Sequence, residues 1–420
     1  MQIYPSQLSG EITVPSSKSQ TFRAILFASL AAGESVIENF LDSPDTGYLI
    51  DACRHFGAKI TAQGTTLTVI GTGGKLSRPE VPLYIGNSGI ALRFLTGVAA
   101  SADFDTILMG DDSLQKQRPM TELIKGLKQL GAGAASFSGD GCAPIKVNGP
   151  LKKRWAIIDG RDSQPVSALL TAAALSKGHF EIVVKQPGEK PWVNLTLHWL
   201  HKLGVRVEND GYERYTVHGG AKLKGFRYRV PGDYSSAAFP LAAALITGSD
   251  LYLDNLDRKD PQGDRRVLEV LRKMGASIEE KDRGVRIYGG SHLQGQTIDV
   301  NDFIDAVTIL AVVGCFADGE TVLKNGAVAK TKECDRIASI VGELKKMGAD
   351  IEQTEDGLRV RKSKLKGCEV DSHGDHRMAL SLAVAALGAE GETSVKNSGC
   401  IDKTYSTFIG DLQQLGVRIS

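Results

Sequence analysis

A short phrase centred on glycine recurs six times along the chain. In each copy a bulky apolar residue precedes the glycine, and Ala or Val follows it, then any residue and usually an aliphatic one. The six glycines are Gly57, Gly131, Gly204, Gly275, Gly348 and Gly416. They lie 74, 73, 71, 73 and 68 residues apart. Such a period indicates an internal structural repeat, and six units of about 70 residues account for the whole chain.

A second phrase recurs upstream of the first. Its copies read AAGESVIEN, SKGHFEIVV, ITGSDLYLDN, ADGETVLKN and AEGETSVKN, with SADFDTILMG as a weaker form in unit two. Each copy follows an Ala- and Leu-rich run and passes into alternating apolar and polar residues, which is typical of a helix followed by a strand. The first phrase ends an amphipathic stretch, so its glycine is expected at a helix C-cap in the left-handed conformation. The pattern in each unit therefore predicts the order strand, helix, strand, helix, strand, strand. For the whole chain this order predicts an α/β fold.

The charges of the chain almost cancel, with 50 Lys and Arg against 49 Asp and Glu. Neither nucleic acid nor a membrane surface is expected as a partner, since both favour a basic excess. The longest apolar run, residues 306–317, is short of the about 20 residues that span a bilayer, and the N-terminal residues do not resemble a secretory signal. The six cysteines are widely spaced and form no CxxC motif, which is typical of reduced thiols. We therefore expect a globular, cytoplasmic protein.

Two segments rich in serine or glycine stand where helices are expected to begin. Residues 16–23 read SSKSQTFR, and residues 86–89 read GNSG and precede Arg93. Free N–H groups at a helix start favour an anion, and Lys18 and Arg23 add positive charge. A capped helix with solvated charges is the alternative for each segment. The chain has neither a Walker motif nor GxGxxG after a strand, so nucleotide binding lacks its usual sequence support.

Acidic and basic residues also lie close together in units five and six. Asp305 precedes an apolar run, and residues 330–336 read KTKECDR. We interpret KTKECDR as the opening of a helix on which Lys332 and Arg336 share one face, with an ordinary salt-bridged surface helix as the alternative. Residues 371–377 include two histidines and two aspartates. No further His or Cys cluster completes a metal site, so no metal is predicted.

Read together and in order, eight segments resemble the enolpyruvyl transferase family. They are SSKSQTFRA, GNSGIALR, QKQRP, DSQ, FIDA, KTKECDR, GDHRMA and CIDKT. Each motif is modest by itself, but their joint order is highly specific and covers the whole chain. Within the family the resemblance is to the branch that acts on shikimate 3-phosphate.

The resemblance implies a two-domain inside-out α/β barrel built from six βαβαββ repeats, with the helices inside. It also implies that the chain crosses twice between the domains. Residues 16–231 would then form the first three-repeat domain, on the shikimate-phosphate side. Residues 232–420 would form the second three-repeat domain, completed by residues 1–15. Independently of the resemblance, Pro231 and Gly232 fall between units three and four, where we expect a hinge.

The resemblance further implies a reaction. The enolpyruvyl group of phosphoenolpyruvate would pass to the 5-hydroxyl of shikimate 3-phosphate, and phosphate would leave from a tetrahedral intermediate. The residues that match shikimate 3-phosphate contacts are Lys18, Ser19, Arg23, Ser163, Gln164, Asp305 and Lys332. The residues that match phosphoenolpyruvate contacts are Lys18, Gly89, Arg118, Gln164, Arg336, Arg377 and Lys403.

Three of the matched residues resemble catalytic groups. Asp305 resembles the acceptor of the hydroxyl proton, Glu333 the group that handles the methylene proton, and Lys18 completes the set. The chemistry needs positioning and proton transfer, so neither a metal nor an organic cofactor is expected. The chain is expected to act as a monomer on these two small molecules.

Three positions depart from the family pattern. Asp162 stands where serine is usual, and we expect its carboxylate to turn away from a substrate phosphate. Glu189 occupies a usual shikimate-contacting serine position, and Trp192 replaces a usual tyrosine. Glu189 and Trp192 are therefore left out of the predicted site.

Other functions have less support from the sequence. The sister enzymes that act on a UDP-amino sugar use a reactive cysteine in a loop of unit two, and residues 111–119 contain none. A catalytically silent binding protein would be expected to have lost Asp305, Glu333 or Lys403, and all three are present. RNA 3′-phosphate cyclisation, on a related fold, would favour a basic surface.

Overall fold

Strands and helices alternate along the entire chain in the computed structural model, which describes all 420 residues. The strands are β1 Gln2–Ile3, β2 Gly10–Thr13, β3 Ala32–Glu38, β4 Lys59–Gln63, β5 Thr66–Thr72, β6 Leu83–Tyr84, β7 Thr106–Met109, β8 Gly133–Ser136, β9 Ile145–Asn148, β10 Trp155–Asp159, β11 Gly178–Lys185, β12 Val207–Asp210, β13 Arg214–Gly219, β14 Arg227–Arg229, β15 Leu251–Asp254, β16 Ser277–Glu280, β17 Gly284–Tyr288, β18 Thr297–Asp299, β19 Glu320–Lys324, β20 Asp350–Gln353, β21 Leu358–Arg361, β22 Glu369–Asp371 and β23 Thr393–Lys396. The α-helices are α1 Lys18–Leu30, α2 Pro44–His55, α3 Gly89–Ala99, α4 Asp112–Lys116, α5 Thr121–Gln129, α6 Ser163–Leu175, α7 Lys190–Lys202, α8 Tyr234–Thr247, α9 Arg266–Lys273, α10 Val307–Gly314, α11 Arg336–Lys346, α12 His376–Leu387 and α13 Phe408–Gln414. Short 3₁₀ helices span Gly263–Arg265, Asn301–Ala306, Ala327–Thr331 and Ser398–Lys403.

The chain divides into two compact units. One comprises Met1–Ser17 with Pro231–Ser420, and the other comprises Lys18–Val230. Each unit has its own cluster of buried apolar side chains. None of the helices is both long and apolar enough to cross a membrane.

Six small sheets carry the repeat. In five of them a parallel strand pair is extended by two antiparallel strands, as in the order β10-β11-β13-β12. This is the sheet that a strand, helix, strand, helix, strand, strand unit builds when its last two strands form a hairpin. The predicted order of elements is confirmed for units one to five, with one additional short helix, α4, between β7 and α5 of unit two.

The first strands of units one and four are exchanged. Strand β2 of unit one pairs in parallel with β15 of unit four, and β14 pairs in parallel with β3 of unit one. The sheets of units one and four are therefore completed by strands that are distant in sequence. This exchange explains why residues 1–17 belong to the same unit as the C-terminal half.

The sixth sheet differs from the predicted unit because it has three strands, in the order β1-β23-β22. The chain ends after helix α13 and forms an isolated bridge between Ile3 and Ile419 in place of a hairpin. The N-terminal strand β1 instead pairs antiparallel with β23 and supplies the missing edge.

The first helix of each repeat lies in the interior of its unit. Every residue of α10 and α12 is buried, and α1 is buried throughout from Gln20 to Leu30. A helix that is apolar all round must be buried, whereas the alternating pattern of strands such as β9 exposes one face. Small residues allow the close packing: a Cβ at Gly97 of α3 would lie 2.6 Å from the Ala168 carbonyl oxygen of α6. The predicted arrangement with helices inside is confirmed within each unit.

Left-handed glycines connect helices to strands in every unit. The φ angles of the six repeat glycines lie between 80° and 106°. The glycine at the third position of the second phrase also has a positive φ in all five copies that have one there. Residues with a Cβ rarely adopt this conformation, so the repeat seen in the sequence is a repeat of helix endings.

Candidate functional site

Arg23 is a buried cation whose hydrogen bonds go to neutral groups. Its guanidinium, on a residue that is 2% exposed, donates to the Thr196 hydroxyl, the Trp192 carbonyl and the Ser19 carbonyl. It also lies 5.2 Å from the centre of the Phe94 ring. Burial lowers the pKa of Arg23 to about 9. A buried guanidinium without an acidic partner favours an anionic ligand.

Two more arginines converge on the start of helix α3. Arg93 donates to the Gly89 carbonyl at 3.3 Å and to Oε1 of Gln164 at 3.1 Å, and Arg118 donates to the Asn87 carbonyl at 3.1 Å. A Cβ at Gly89 would lie 2.9 Å from a guanidinium nitrogen of both arginines. A side chain at this position would have to displace both guanidinium groups, so glycine leaves room for them.

The start of helix α6 carries two carboxylates. Asp162 accepts a hydrogen bond from the Gln164 N–H at 2.9 Å as its N-cap, and it lies 3.5 Å from Arg93. Oε2 of Glu189 accepts from both the N–H and the hydroxyl of Ser163, each at 2.9 Å. Ser163 and Glu189 are both buried. The predicted residue Ser163 is thus in contact with an acidic residue that the sequence analysis left out.

Lys18 is the first residue of helix α1, as predicted, and its ammonium lies 3.8 Å from the Asp45 carboxylate. Ser19 contributes its carbonyl oxygen to Arg23. In the unit Lys18–Val230, the structure therefore brings Ser19 to Arg23, and Gly89 and Gln164 to Arg93.

Arg336 organises the polar cluster of the other unit. Its guanidinium donates to Asp375 at 2.8 Å, to Asp305 at 2.7 Å and to Glu333 at 3.1 Å. Burial opposes its charge, but Asp375, Asp305 and Glu333 together raise the pKa of Arg336 well above its ordinary value. The guanidinium therefore stays charged and fixes two carboxylates, Asp305 and Glu333, for which the family resemblance implies proton-transfer roles.

Glu333 is held by a second cation. The Lys403 ammonium donates to its Oε1 at 2.7 Å, and Nδ1 of His376 lies 3.8 Å from the same oxygen. Lys403 and His376 are both buried. Glu333 thus sits among three groups that can carry positive charge, and these contacts fix the position of its carboxyl group.

Arg377 has spare hydrogen-bonding capacity. One nitrogen donates to Asp305 at 3.3 Å and lies 4.0 Å from Asp233. Its Nε and other terminal nitrogen have no partner although the side chain is 2% exposed. Buried donors of this kind are normally satisfied by a partner, so these atoms indicate a place for an acceptor ligand.

Asp264 is a further buried acid in this cluster. Burial raises the pKa of Asp264 to about 8, and the Asp305 carboxylate adds to the rise. Nothing in the sequence pattern distinguishes Asp264, since its segment QGDRR resembles an ordinary polar turn.

Glu333, Asp375 and His376 could together offer ligand atoms to a metal, because these atoms lie within 4.8 Å of one another. The two carboxylates already contact Lys403 and Arg336. A divalent cation would have to displace these charges, so the donor set fits side-chain cations better than a metal.

The interpretation of residues 330–336 as a helix opening is met only in part. Arg336 is the first residue of helix α11. The prediction that Lys332 and Arg336 share a helical face is wrong. Asp335 caps α11 through the N–H groups of Ile337 and Ala338, and Lys332 lies outside the helix with φ −86° and ψ −145°. The Asp side chain satisfies the first free N–H groups, so the helix begins after it.

The two units contain buried arginines, fixed carboxylates and other side chains that can carry protons. Such groups are typical of the class of enzyme that holds small anions and transfers protons. The comparisons with known proteins identify the family within that class. The family model for EPSP synthase (3-phosphoshikimate 1-carboxyvinyltransferase) matches residues 3–412. The chain belongs to this family, which confirms the resemblance seen in the sequence.

Named relatives and solved structures agree with the family model. The 3-phosphoshikimate 1-carboxyvinyltransferase of Acetivibrio thermocellus is 42% identical over 100% of this chain and 99% of its own length. The enzyme of that name from Chlamydia pneumoniae is 40% identical over 100% of this chain and 94% of its own length. An EPSP synthase structure from Acinetobacter baumannii has a TM-score of 0.83 at 30% identity and covers 100% of this chain and 99% of that one. The chain is accordingly an enolpyruvyl transferase of the shikimate pathway with the inside-out α/β fold of its family.

Proposed function

We propose that the chain transfers the enolpyruvyl group of phosphoenolpyruvate to the 5-hydroxyl of shikimate 3-phosphate and releases phosphate. The observation that carries this proposal is the Arg336 cluster. A single buried guanidinium holds Asp305 and Glu333 at 2.7 and 3.1 Å, so two carboxylates are available in one place for two proton transfers. The reaction needs two such transfers, one from the attacking hydroxyl and one to the methylene carbon.

Each unit contributes a set of substrate contacts in this proposal. Lys18–Val230 is the shikimate-phosphate side, and its contacts to shikimate 3-phosphate are Lys18, Ser19, Arg23, Ser163 and Gln164. The other unit contributes Asp305 and Lys332 to the same substrate. Phosphoenolpyruvate is bound by Lys18, Gly89, Arg118, Gln164, Arg336, Arg377 and Lys403. The buried guanidinium of Arg23, which has only neutral partners, and the spare donors of Arg377 support anion binding.

The proposed mechanism is addition followed by elimination. Asp305 accepts the proton of the 5-hydroxyl while the oxygen attacks C2 of phosphoenolpyruvate. Glu333 supplies a proton to C3, so the double bond is consumed and a tetrahedral adduct forms. In the second step the C2–O bond to phosphate breaks, and a proton returns from C3 to Glu333 as the double bond forms again. The proton that Asp305 accepted passes to the departing phosphate, so both carboxyl groups return to their starting states. Arg336, Lys403 and Lys18 balance the charge on the phosphate and carboxylate groups.

The proposal extends to the oligomeric state, the location and the metal content of the protein. We expect a cytoplasmic monomer that uses no metal. The six cysteines are free thiols, three of them buried, as is common in a reducing compartment.

The deciding experiment is a coupled assay for phosphate release from phosphoenolpyruvate. Release with shikimate 3-phosphate and none with UDP-N-acetylglucosamine is the expected result. Phosphate release with the UDP-amino sugar alone would mean that the chain has the activity of the sister enzymes. No release with either acceptor would favour a silent binding protein.

A further inference from the structure

A buried carboxylate occupies the N-terminus of helix α6. Oε2 of Glu189 accepts two hydrogen bonds at 2.9 Å, from the N–H and from the hydroxyl of Ser163. Glu189 is 1% exposed. Ser163 begins a helix of 13 residues, so its N–H group lies at the positive end of the helix dipole. The protein therefore supplies its own anion to the helix end that bears a proposed phosphate contact.

The backbone holds this carboxylate in place. Glu189 has φ 43° and ψ 39°, a left-handed conformation that a residue with a side chain adopts at a cost. The Gly188 N–H donates to the Gly160 carbonyl at 2.9 Å, and a Cβ at Gly188 would lie 2.6 Å from the Arg161 carbonyl oxygen. The loop before α7 is thus packed directly against the loop before α6, and the strained residue is positioned by its surroundings.

Arg23 is linked to the same two helices. It donates to the Trp192 carbonyl and the Thr196 hydroxyl of α7, and Thr196 donates to the Ser167 hydroxyl of α6 at 3.0 Å. No acid is among the hydrogen-bond partners of Arg23. The region therefore combines a buried cation, whose own partners are neutral, with a buried anion that occupies the donors of Ser163.

We propose that Glu189 is an internal anion that occupies the phosphate position at Ser163, and that shikimate 3-phosphate binds by displacing it. This inference rests on the proposed function and makes Glu189 a specificity-determining residue. A phosphate and a carboxylate repel one another in a buried site, and both compete for the same two donors. Glu189 therefore weakens the binding of any anion at this position, and the rest of the substrate must compensate.

Neutral replacements of Glu189 test the inference by calorimetry on the full chain. Glu189→Gln keeps the size and an acceptor oxygen, and Glu189→Ser removes the occupant. Both are expected to lower the Kd of shikimate 3-phosphate about tenfold or more, and inorganic phosphate should follow the same direction. The Kd of unphosphorylated shikimate should change less than twofold. Glu213→Gln, at an exposed position of the same unit, controls for the loss of one negative charge.

Each other outcome has a defined meaning. Equal or weaker binding of shikimate 3-phosphate by both variants overturns the inference, and so does an equal gain for shikimate, which has no phosphate to compete. Circular dichroism verifies the fold, and the near-isosteric Gln variant decides the question if the Ser variant unfolds. A wild-type chain that releases no phosphate with shikimate 3-phosphate contradicts the proposed function, whereas the binding comparison with inorganic phosphate can still be read.

Discussion

Asp305 combines two cationic partners with access to a substrate. It accepts hydrogen bonds from Arg336 at 2.7 Å and Arg377 at 3.3 Å, and its side chain is 24% exposed. Asp305→Asn keeps the shape but cannot accept the hydroxyl proton. Turnover is expected to fall by about 10²–10⁴, the share of a positioned base, while shikimate 3-phosphate binding stays measurable. Steady-state kinetics and calorimetry measure the two effects.

A neighbouring carboxylate serves as the control for Asp305. Asp302 lies in the same 3₁₀ segment and pairs with Arg266, so Asp302→Asn removes an equal charge from the same element. It should leave turnover within about twofold of the wild type, as is usual for a surface substitution. An unchanged kcat in Asp305→Asn would remove Asp305 from its proposed role.

Asp264 makes stability depend on pH. Burial raises its pKa to about 8 from the ordinary 3.8, so the folded state binds a proton that the unfolded state has released between those values. Stability from this group is full below about pH 4 and is lost as the pH rises towards 8, at up to about 1.4 kcal/mol per pH unit. Asp264→Asn removes this dependence. Between pH 5 and 7 the variant should gain about 2–3 kcal/mol relative to the wild type in urea denaturation.

Every other titrating group is common to both proteins, so the difference between the two stability curves reports Asp264 together with its interaction with the Asp305 carboxylate. Parallel stability curves for wild type and Asp264→Asn across this range would show that Asp264 has an ordinary pKa.

The glycines around helix α11 give opposite predictions for one substitution. Gly348 ends the helix with φ 89°, and no atom lies closer than 3.7 Å to a Cβ there, so Gly348→Ala suffers from backbone strain alone. It should lower the free energy of unfolding by about 1–2 kcal/mol. Gly342 lies inside the same helix with open space around a Cβ. Gly342→Ala should raise stability by about 0.5–1 kcal/mol.

Urea denaturation of the two alanine variants decides whether the repeat glycines act as conformational helix ends. If both variants lose stability, or both gain it, the backbone φ angle does not explain the difference between Gly348 and Gly342.

Helix beginnings were harder to predict than helix ends. The glycines that end helices can be recognised in the sequence, because residues with a side chain rarely adopt their φ and because the same phrase recurs six times. The start of α11 depends on whether Asp335 caps the helix or continues it, and both choices suit the local sequence. Asp335 takes the cap, and Lys332 therefore lies off the helix.

The acid partners of the cations depend on tertiary structure. Arg336 meets Asp305 from 31 residues before it and Asp375 from 39 residues after it. Arg336 and Asp305 were each expected in the site, whereas Asp375 was not, and no spacing rule connects residues at such distances. The contact between Ser163 and Glu189 was missed for the same reason, since 26 residues and a whole strand separate them.

The sequence repeat predicts the secondary structure of the whole chain, but it does not predict the exchange of strands between units one and four. Period and element order were predictable, because glycine caps and apolar alternation are local. That β2 completes the sheet of unit four is not visible locally, since its sequence GEIT would suit either sheet. The family resemblance implied the crossing, whereas the residues alone indicated a hinge near Pro231.

The last prediction concerns the N-terminal strand, which belongs to the unit that contains the C-terminal half. Ile3 is fully buried in β1 and pairs with Thr393 of β23. Ile3→Ala should lower the free energy of unfolding of that unit by about 2–5 kcal/mol.

All three tryptophans, Trp155, Trp192 and Trp199, lie in the other unit, Lys18–Val230. Because each unit has its own apolar cluster, the far-UV circular dichroism of Ile3→Ala should lose part of its signal at lower urea, while the midpoint of tryptophan fluorescence stays in place. Ile182→Ala, at a fully buried position of β11, should move the fluorescence midpoint instead. Equal shifts of both signals in Ile3→Ala would show that the chain unfolds as one cooperative body, and that the N-terminal strand stabilises all of it.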